Sequence, residues 1–157
     1  MDRLSKGERM VLWSSVALLV CSFIPLWSKY EASAFGVSFS ERGQLWNSYG
    51  FFPGKLAGLL VLAAVILLLV KMFAKNMSLP SALWAGLGGG TALLVLLTIV
   101  MGPEGQGVDV PGAGIEISRG FMPFIGLALA AAMAWGGYQH MNEGAAAPAP
   151  PPVPEAS

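Results

Sequence analysis

Leu56-Ala57-Gly58-Leu59-Leu60-Val61-Leu62-Ala63-Ala64-Val65-Ile66-Leu67-Leu68-Leu69-Val70 contains no side chain able to hydrogen-bond to water. Phe51 and Phe52 extend the run at its start, Met72 and Phe73 at its end. A helix rises about 1.5 Å per residue, so about 20 such residues cross a hydrocarbon core of about 30 Å. The segment is apolar on every side rather than along one stripe, and a helix of that kind needs lipid or a large core around it. It predicts a membrane span over about 54–73.

Three further stretches repeat the pattern: about 10–27, 81–101 and 121–140. Punctuation agrees with the boundaries. Pro25 ends or kinks the first span. Pro53 precedes the second, Pro80 sits in the opening turn of the third with Ser78 as a candidate cap, and Pro123 falls in the first turn of the fourth, where a missing amide costs little. Trp13, Trp27, Tyr30, Trp46, Tyr49, Trp84, Trp135 and Tyr138 lie near the predicted edges, as interfacial anchors do. A cleavable leader is the rival reading of residues 1–34, with Ala32-Ser33-Ala34 as the cleavage-like triplet. The apolar run is too long for a typical leader, and Lys29 and Glu31 charge the region before the triplet.

Composition points the same way. The chain of 157 residues is 55% hydrophobic and 11% charged, against about 25% charged in an average soluble domain. Nine basic and nine acidic residues cancel, so there is no basic footprint for nucleic acid. The single cysteine, Cys21, excludes an internal disulfide and a cysteine-built metal cluster. The expected fold is therefore an all-α membrane protein: an antiparallel four-transmembrane-helix bundle over residues 1–143, followed by a disordered Ala/Pro-rich tail over 144–157. Arg3, Lys6, Arg9, Lys71 and Lys75 narrowly outnumber Lys29, Arg42, Lys55 and Arg119 on the other side. That margin puts both termini in the cytoplasm of a multi-pass protein of the plasma (inner) membrane.

The two longer loops carry strand signals. Phe35, Val37 and Phe39 alternate with small residues, the period of a half-buried strand. Val108-Asp109-Val110 and Ile115-Glu116-Ile117 flank a Pro111-Gly112-Ala113-Gly114 turn, a hairpin pattern. Together they predict a small extracytoplasmic β-sheet formed by the two outer loops. Helices in lipid associate by close packing, which small residues permit. The candidate packing positions are Gly58 in the second helix, Ala85, Gly86, Gly89 and Gly90 in the third, and Gly126, Ala130 and Ala134 in the fourth.

Chemistry-bearing residues are sparse. Lys55, Lys71 and His140 fall only at the ends of predicted spans, and no Asp, Glu, Lys, Arg or His lies in a span's interior, whereas proton relays, ion-coupled carriers and voltage sensors place such groups there. Ser14, Ser15, Ser22, Thr91 and Thr98 are expected to bond the carbonyls of the preceding turn. His140, the only histidine, reads as a solvated interface residue. Glu31, Glu41, Glu104, Asp109 and Glu116 lack calcium-loop spacing and read as solvated loop charge. Gly88-Gly89-Gly90 lacks the Lys-Ser/Thr of a phosphate loop. No catalytic, cofactor or metal residues are assigned. The expected role is a non-catalytic scaffold, accessory subunit or self-associating protein, whose partners are the lipid bilayer and a membrane protein or a second copy. Trp46, Tyr49, Phe51 and Phe52 are the candidate partner contacts. The alternatives are a channel or carrier subunit for a small uncharged solute, and an enzyme built on the outer carboxylates.

Two resemblances accompany this reading. Phe23-Ile24-Pro25-Leu26-Trp27-Ser28, and Arg119-Gly120-Phe121 running into a Gly/Ala-rich last helix, resemble small uncharacterised bacterial four-span membrane proteins. Trp27 and Gly43-Gln44-Leu45-Trp46 are similar to the first outer loop of the claudin and peripheral-myelin-protein tetraspans. The cysteine pair of that loop is absent, and Tyr49 stands where the first cysteine would fall. This second resemblance implies a four-helix bundle topped by a small outer sheet.

Overall fold

The structure, a computed structural model, describes residues 4–34, 36–74, 79–104 and 114–145. It is mostly helical, with one small sheet. Helix α1 spans Lys6–Phe23. Ser5 caps it: its Oγ accepts from Glu8 N at 3.2 Å, and Glu8 Oε2 accepts from Ser5 N at 3.1 Å, a reciprocal capping box. The helix ends where Pro25 forces the preceding residue out of helical geometry; Ile24 is extended at φ −74°, ψ 130°. Helix α1 therefore starts a turn before the predicted span and stops short of Trp27.

Strands β1 (Ser28–Ala34) and β2 (Val37–Gly43) follow, then the short helix α2 (Leu45–Ser48). A kinked turn over Phe51–Lys55, with Phe52 extended, delivers the chain into α3 (Leu56–Phe73). Helix α4 spans Ser81–Met101, opens directly after Pro80, and ends at Gly102, whose φ of +77° suits glycine. Strand β3 (Gly114–Arg119) leads into α5 (Met122–Ala145). Ser78, the candidate cap, lies outside the described residues, as do Val108–Val110 and the tail beyond Ala145.

The four long helices pack in a closed circuit: α5 against α4 and α1, and α3 against α1 and α4. Two of them, Phe51–Phe73 and Ser81–Met101, are by length and composition apolar enough to cross a bilayer. Helix α1 carries Lys6, Glu8 and Arg9 in its first turn and a half, and the last turns of α5 carry Gln139, His140, Asn142 and Glu143.

The sheet is antiparallel in the order β2-β1-β3. Both loops contribute, as expected, but the described hairpin lies in the first loop, where the sequence suggested a single strand. Ala32-Ser33-Ala34, the leader-like triplet, is the end of β1, paired with β2. In register, Ala32 stands between Phe39 and Ile115. Phe39 and Val37 are 69% and 52% exposed rather than half-buried, because neither face of β2 is covered: every residue from Val37 to Arg42 is exposed.

Candidate functional site

Short residues let α1 and α5 touch backbone to backbone. A Cβ on Gly7 would sit 2.5 Å from Gly136 O, and a Cβ on Gly136 would sit 2.8 Å from Gly7 O. Any larger residue at either place forces the helices apart. This crossing sets the start of α1 against the end of α5, and it assembles the most polar buried cluster of the described residues.

Glu8 lies at its centre and is 1% exposed. Its Oε2 closes the capping box, and its Oε1 accepts from the ammonium of Lys71, in the last turn of α3. His140 Nε2 lies 3.5 Å from the same oxygen. The other ring nitrogen, Nδ1, is 2.8 Å from Ser5 Oγ and 3.6 Å from Glu143 Oε2. Glu143 Oε1 accepts from Gly7 N at 3.4 Å. The hydrogen bond from Ser5 holds the Glu143 carboxyl below its ordinary range against the opposing effect of burial, with smaller help from Gly7 N and the adjacent imidazole. The cluster joins α1, α3 and α5 at one end of the helix stack. His140 is thus half-buried and partnered, not solvated. The pair of Glu8 and Lys71 was missed because the two are distant in sequence and each reads alone as a flanking charge. The Ser5-x-x-Glu8 spacing, a capping signature, was the available signal.

At the opposite end an aromatic lock fastens the first loop to the helices. Trp27 is fully buried and donates from Nε1 to Cys21 O at 2.7 Å. Tyr49, 1% exposed, donates its hydroxyl to Trp27 O at 3.1 Å and meets the indole edge-on. Burial pushes the Tyr49 phenol up to about 12, partly offset by the Arg119 charge. Trp46 donates to Ser22 Oγ at 3.0 Å, stacks on Phe23, and lays its ring over Gly58. Of the four candidate partner contacts, then, Tyr49 is unavailable and Trp46 is half-covered, because both are consumed in anchoring the loop. Phe51 and Phe52 stay open, 65% and 55% exposed. Trp27 and Trp84 are likewise core residues rather than interfacial anchors, whereas Trp13, Trp135 and Tyr138 face outward.

The packing residues divide in the same way. Gly86 and Gly89 face open space and pack against nothing. The close α4–α5 approach instead uses Gly88, whose Cβ would meet Ala134 Cα and N at 2.6 Å, and Gly137, whose Cβ would meet Trp84 C at 2.6 Å and Ala85 N at 2.7 Å. Gly90 faces Leu60 of α3, Gly126 faces the Trp27 ring, and Ala130 is fully buried. Ala85 and Gly90 thus lie at helix contacts while Gly86 and Gly89 do not, and Gly88 was missed because small residues occupy several faces of the first half of α4.

Ser15, Ser22, Thr91 and Thr98 donate to Leu12 O, Leu19 O, Leu87 O and Val95 O within their own helices. The cavity beside Ser22 holds about 10 Å³ and is otherwise walled by apolar and aromatic side chains such as Leu18, Trp27 and Val95. In the sheet, Glu31 stands directly opposite Glu116, both exposed; Asp109 lies outside the described residues. The chain matches no protein-family model and no curated protein.

Proposed function

We propose that this chain is a non-catalytic integral protein of the plasma (inner) membrane that crosses the bilayer four times and works by binding, as a scaffold, accessory subunit or self-associating protein. One observation carries the reading. Large apolar side chains face outward along all four long helices: Trp13, Val20 and Phe23 on α1; Leu62, Ile66 and Leu69 on α3; Leu93, Leu96 and Val100 on α4; Phe124, Ile125 and Trp135 on α5. A water-soluble protein rarely leaves apolar patches beyond a few hundred Å² uncovered, and a band on every helix is what hydrocarbon solvates at no cost. The polar features lie at the two ends of that band, the ion cluster at one and the sheet at the other. Intramembrane hydroxyls that bond their own helices, and a cavity of only about 10 Å³ beside Ser22, favour a binding role over a solute path.

Both termini lie on the cytoplasmic side in this reading, with the sheet outside. Reporter fusions at each end, combined with alkaline extraction of the membrane fraction, test it. Reporters on opposite faces, or a chain released as a stable soluble particle, overturn the topology. Affinity purification in mild detergent tests the binding role: a companion protein or a stable oligomer is expected, and a lone monomer under all mild conditions counts against it.

A further inference from the structure

Lys29, Arg42 and Arg119 come from three different strands and line one groove of about 370 Å³ at the base of the sheet. Lys29 is the register partner of Arg42 on β2 and shares its face of the sheet; Arg119, the partner of the neighbouring Ser28 on β3, starts from the other face and edges the groove. All three side chains are exposed. Among the described residues none forms an ion pair, and no carboxylate lines the groove; Arg119 makes only a 3.4 Å bond to Val100 O. The strand carboxylates Glu31 and Glu116 line a separate groove further toward the sheet tip. Such sorting concentrates positive potential at the sheet's base.

The remaining wall is apolar: Leu26, Phe121 and Phe124, the two phenylalanines 56% and 57% exposed. Phe121 and Phe124 belong to the entry of α5, and Leu26 lies just past the end of α1. The groove is therefore amphipathic along the helix direction, with cations on the sheet side and phenylalanines on the helix side. Lys29 and Arg42, directly opposite one another with no carboxylate lining the groove, repel one another, and an anion relieves that repulsion. An anion with an acyl chain attached also covers the phenylalanines.

We infer that this groove binds the phosphate headgroup of an anionic membrane lipid. The inference rests on the four-span reading, which sets the groove at the bilayer surface beside the sheet. It also gives a purpose to Lys29, Arg42 and Arg119, cations on the face where loop cations are otherwise disfavoured.

The test uses the full chain. Reconstitution and flotation with phosphatidylcholine vesicles come first. Lipid binding is then measured in mild detergent by native mass spectrometry and by the thermal shift on titrating short-chain phosphatidylglycerol, phosphatidylcholine or glycerol 3-phosphate. Phosphatidylglycerol is expected to bind in preference to both others. Lys29→Gln and Arg42→Gln are each expected to weaken it about fivefold, while Lys55→Gln, outside the groove, leaves it unchanged. The lipid-free thermal midpoint of each variant checks that it folds. Equal binding of the two lipids, or groove variants indistinguishable from Lys55→Gln, overturns the site. Glycerol 3-phosphate matching the lipid shows a soluble phosphate site and overturns the lipid assignment. A chain that fails to float with any vesicle sinks the four-span reading and this site together; one that floats without selectivity sinks this site alone.

Discussion

Replacing Lys71 by Met is expected to destabilise the protein more than replacing Glu8 by Gln, although both break the same ion pair. The asymmetry comes from exposure. The Glu8 side chain is 2% exposed and that of Lys71 is 19%. Without its lysine, the Glu8 carboxylate keeps Ser5 N at 3.1 Å and His140 at 3.5 Å but stays buried with its charge under-compensated. Removing one partner of a buried pair typically costs about 3–5 kcal/mol, and the remaining His140 contact puts Lys71→Met near the low end, about 3 kcal/mol. Glu8→Gln retains the capping-box geometry, and the freed ammonium can turn toward water, so its cost is about 1–2 kcal/mol. The double variant leaves no charge stranded and is expected to be more stable than Lys71→Met alone, with a coupling of about 1–2 kcal/mol. Equilibrium unfolding in mixed micelles, followed by the fluorescence of the five tryptophans, measures all four corners of the cycle. Single variants that each fall within about 0.5 kcal/mol of wild type and add independently would falsify the buried-pair account.

Helix packing gives a second contrast. Gly88→Leu drives a side chain into the Ala134 backbone and is expected to cost at least about 1–3 kcal/mol, whereas Gly89→Ala, facing open space, gains up to about 1 kcal/mol of helix propensity; thermal shifts of the two variants in one detergent compare them. Tyr49 has a phenol raised from 10.0 to about 12, so the folded state holds its proton more tightly than the unfolded state. Its contribution is fully present below pH 10 and lost as pH rises toward about 12; alkaline stability curves of wild type and Tyr49→Phe should differ in that window, and parallel curves refute the assignment. Glu143 is shifted downward from 4.5, so its contribution is present above that value and lost as pH falls through the lower folded value. Hydrogen exchange at Gly7 N–H should accelerate on that acid limb in wild type and show no such pH step in Glu143→Gln.

Helix boundaries were largely legible because they are local. Pro25 stops α1, Pro80 precedes α4, and Pro123 sits in the first turn of α5. The strand through Val37 and Phe39, β2, was also legible, since alternation is written in consecutive residues. Its partner β1, which stands between β2 and Ile115-Glu116-Ile117, was not, because Ser28–Ala34 carries Lys29, Glu31 and small residues without the apolar alternation that marks a strand. The roles of Trp27, Tyr49 and Trp84 were misread for a related reason: an aromatic near a helix end has the same sequence signature whether it faces headgroups or plugs a gap between helices.

By itself the amino-acid order determined that Phe51–Phe73 and Ser81–Met101 are helices apolar enough for hydrocarbon, and where prolines and glycines interrupt the chain. These are short-range properties, fixed by side-chain chemistry and backbone geometry within a few residues. Only the tertiary structure decided that Glu8 meets Lys71 and His140, that Gly88 rather than Gly89 lets α4 approach α5, and that Lys29, Arg42 and Arg119 share a groove. Those pairings depend on how helices rotate about their axes and which strands become neighbours. Small residues on several faces of α4 and α5 make many rotations locally equivalent, and only the packing of the whole chain selects one.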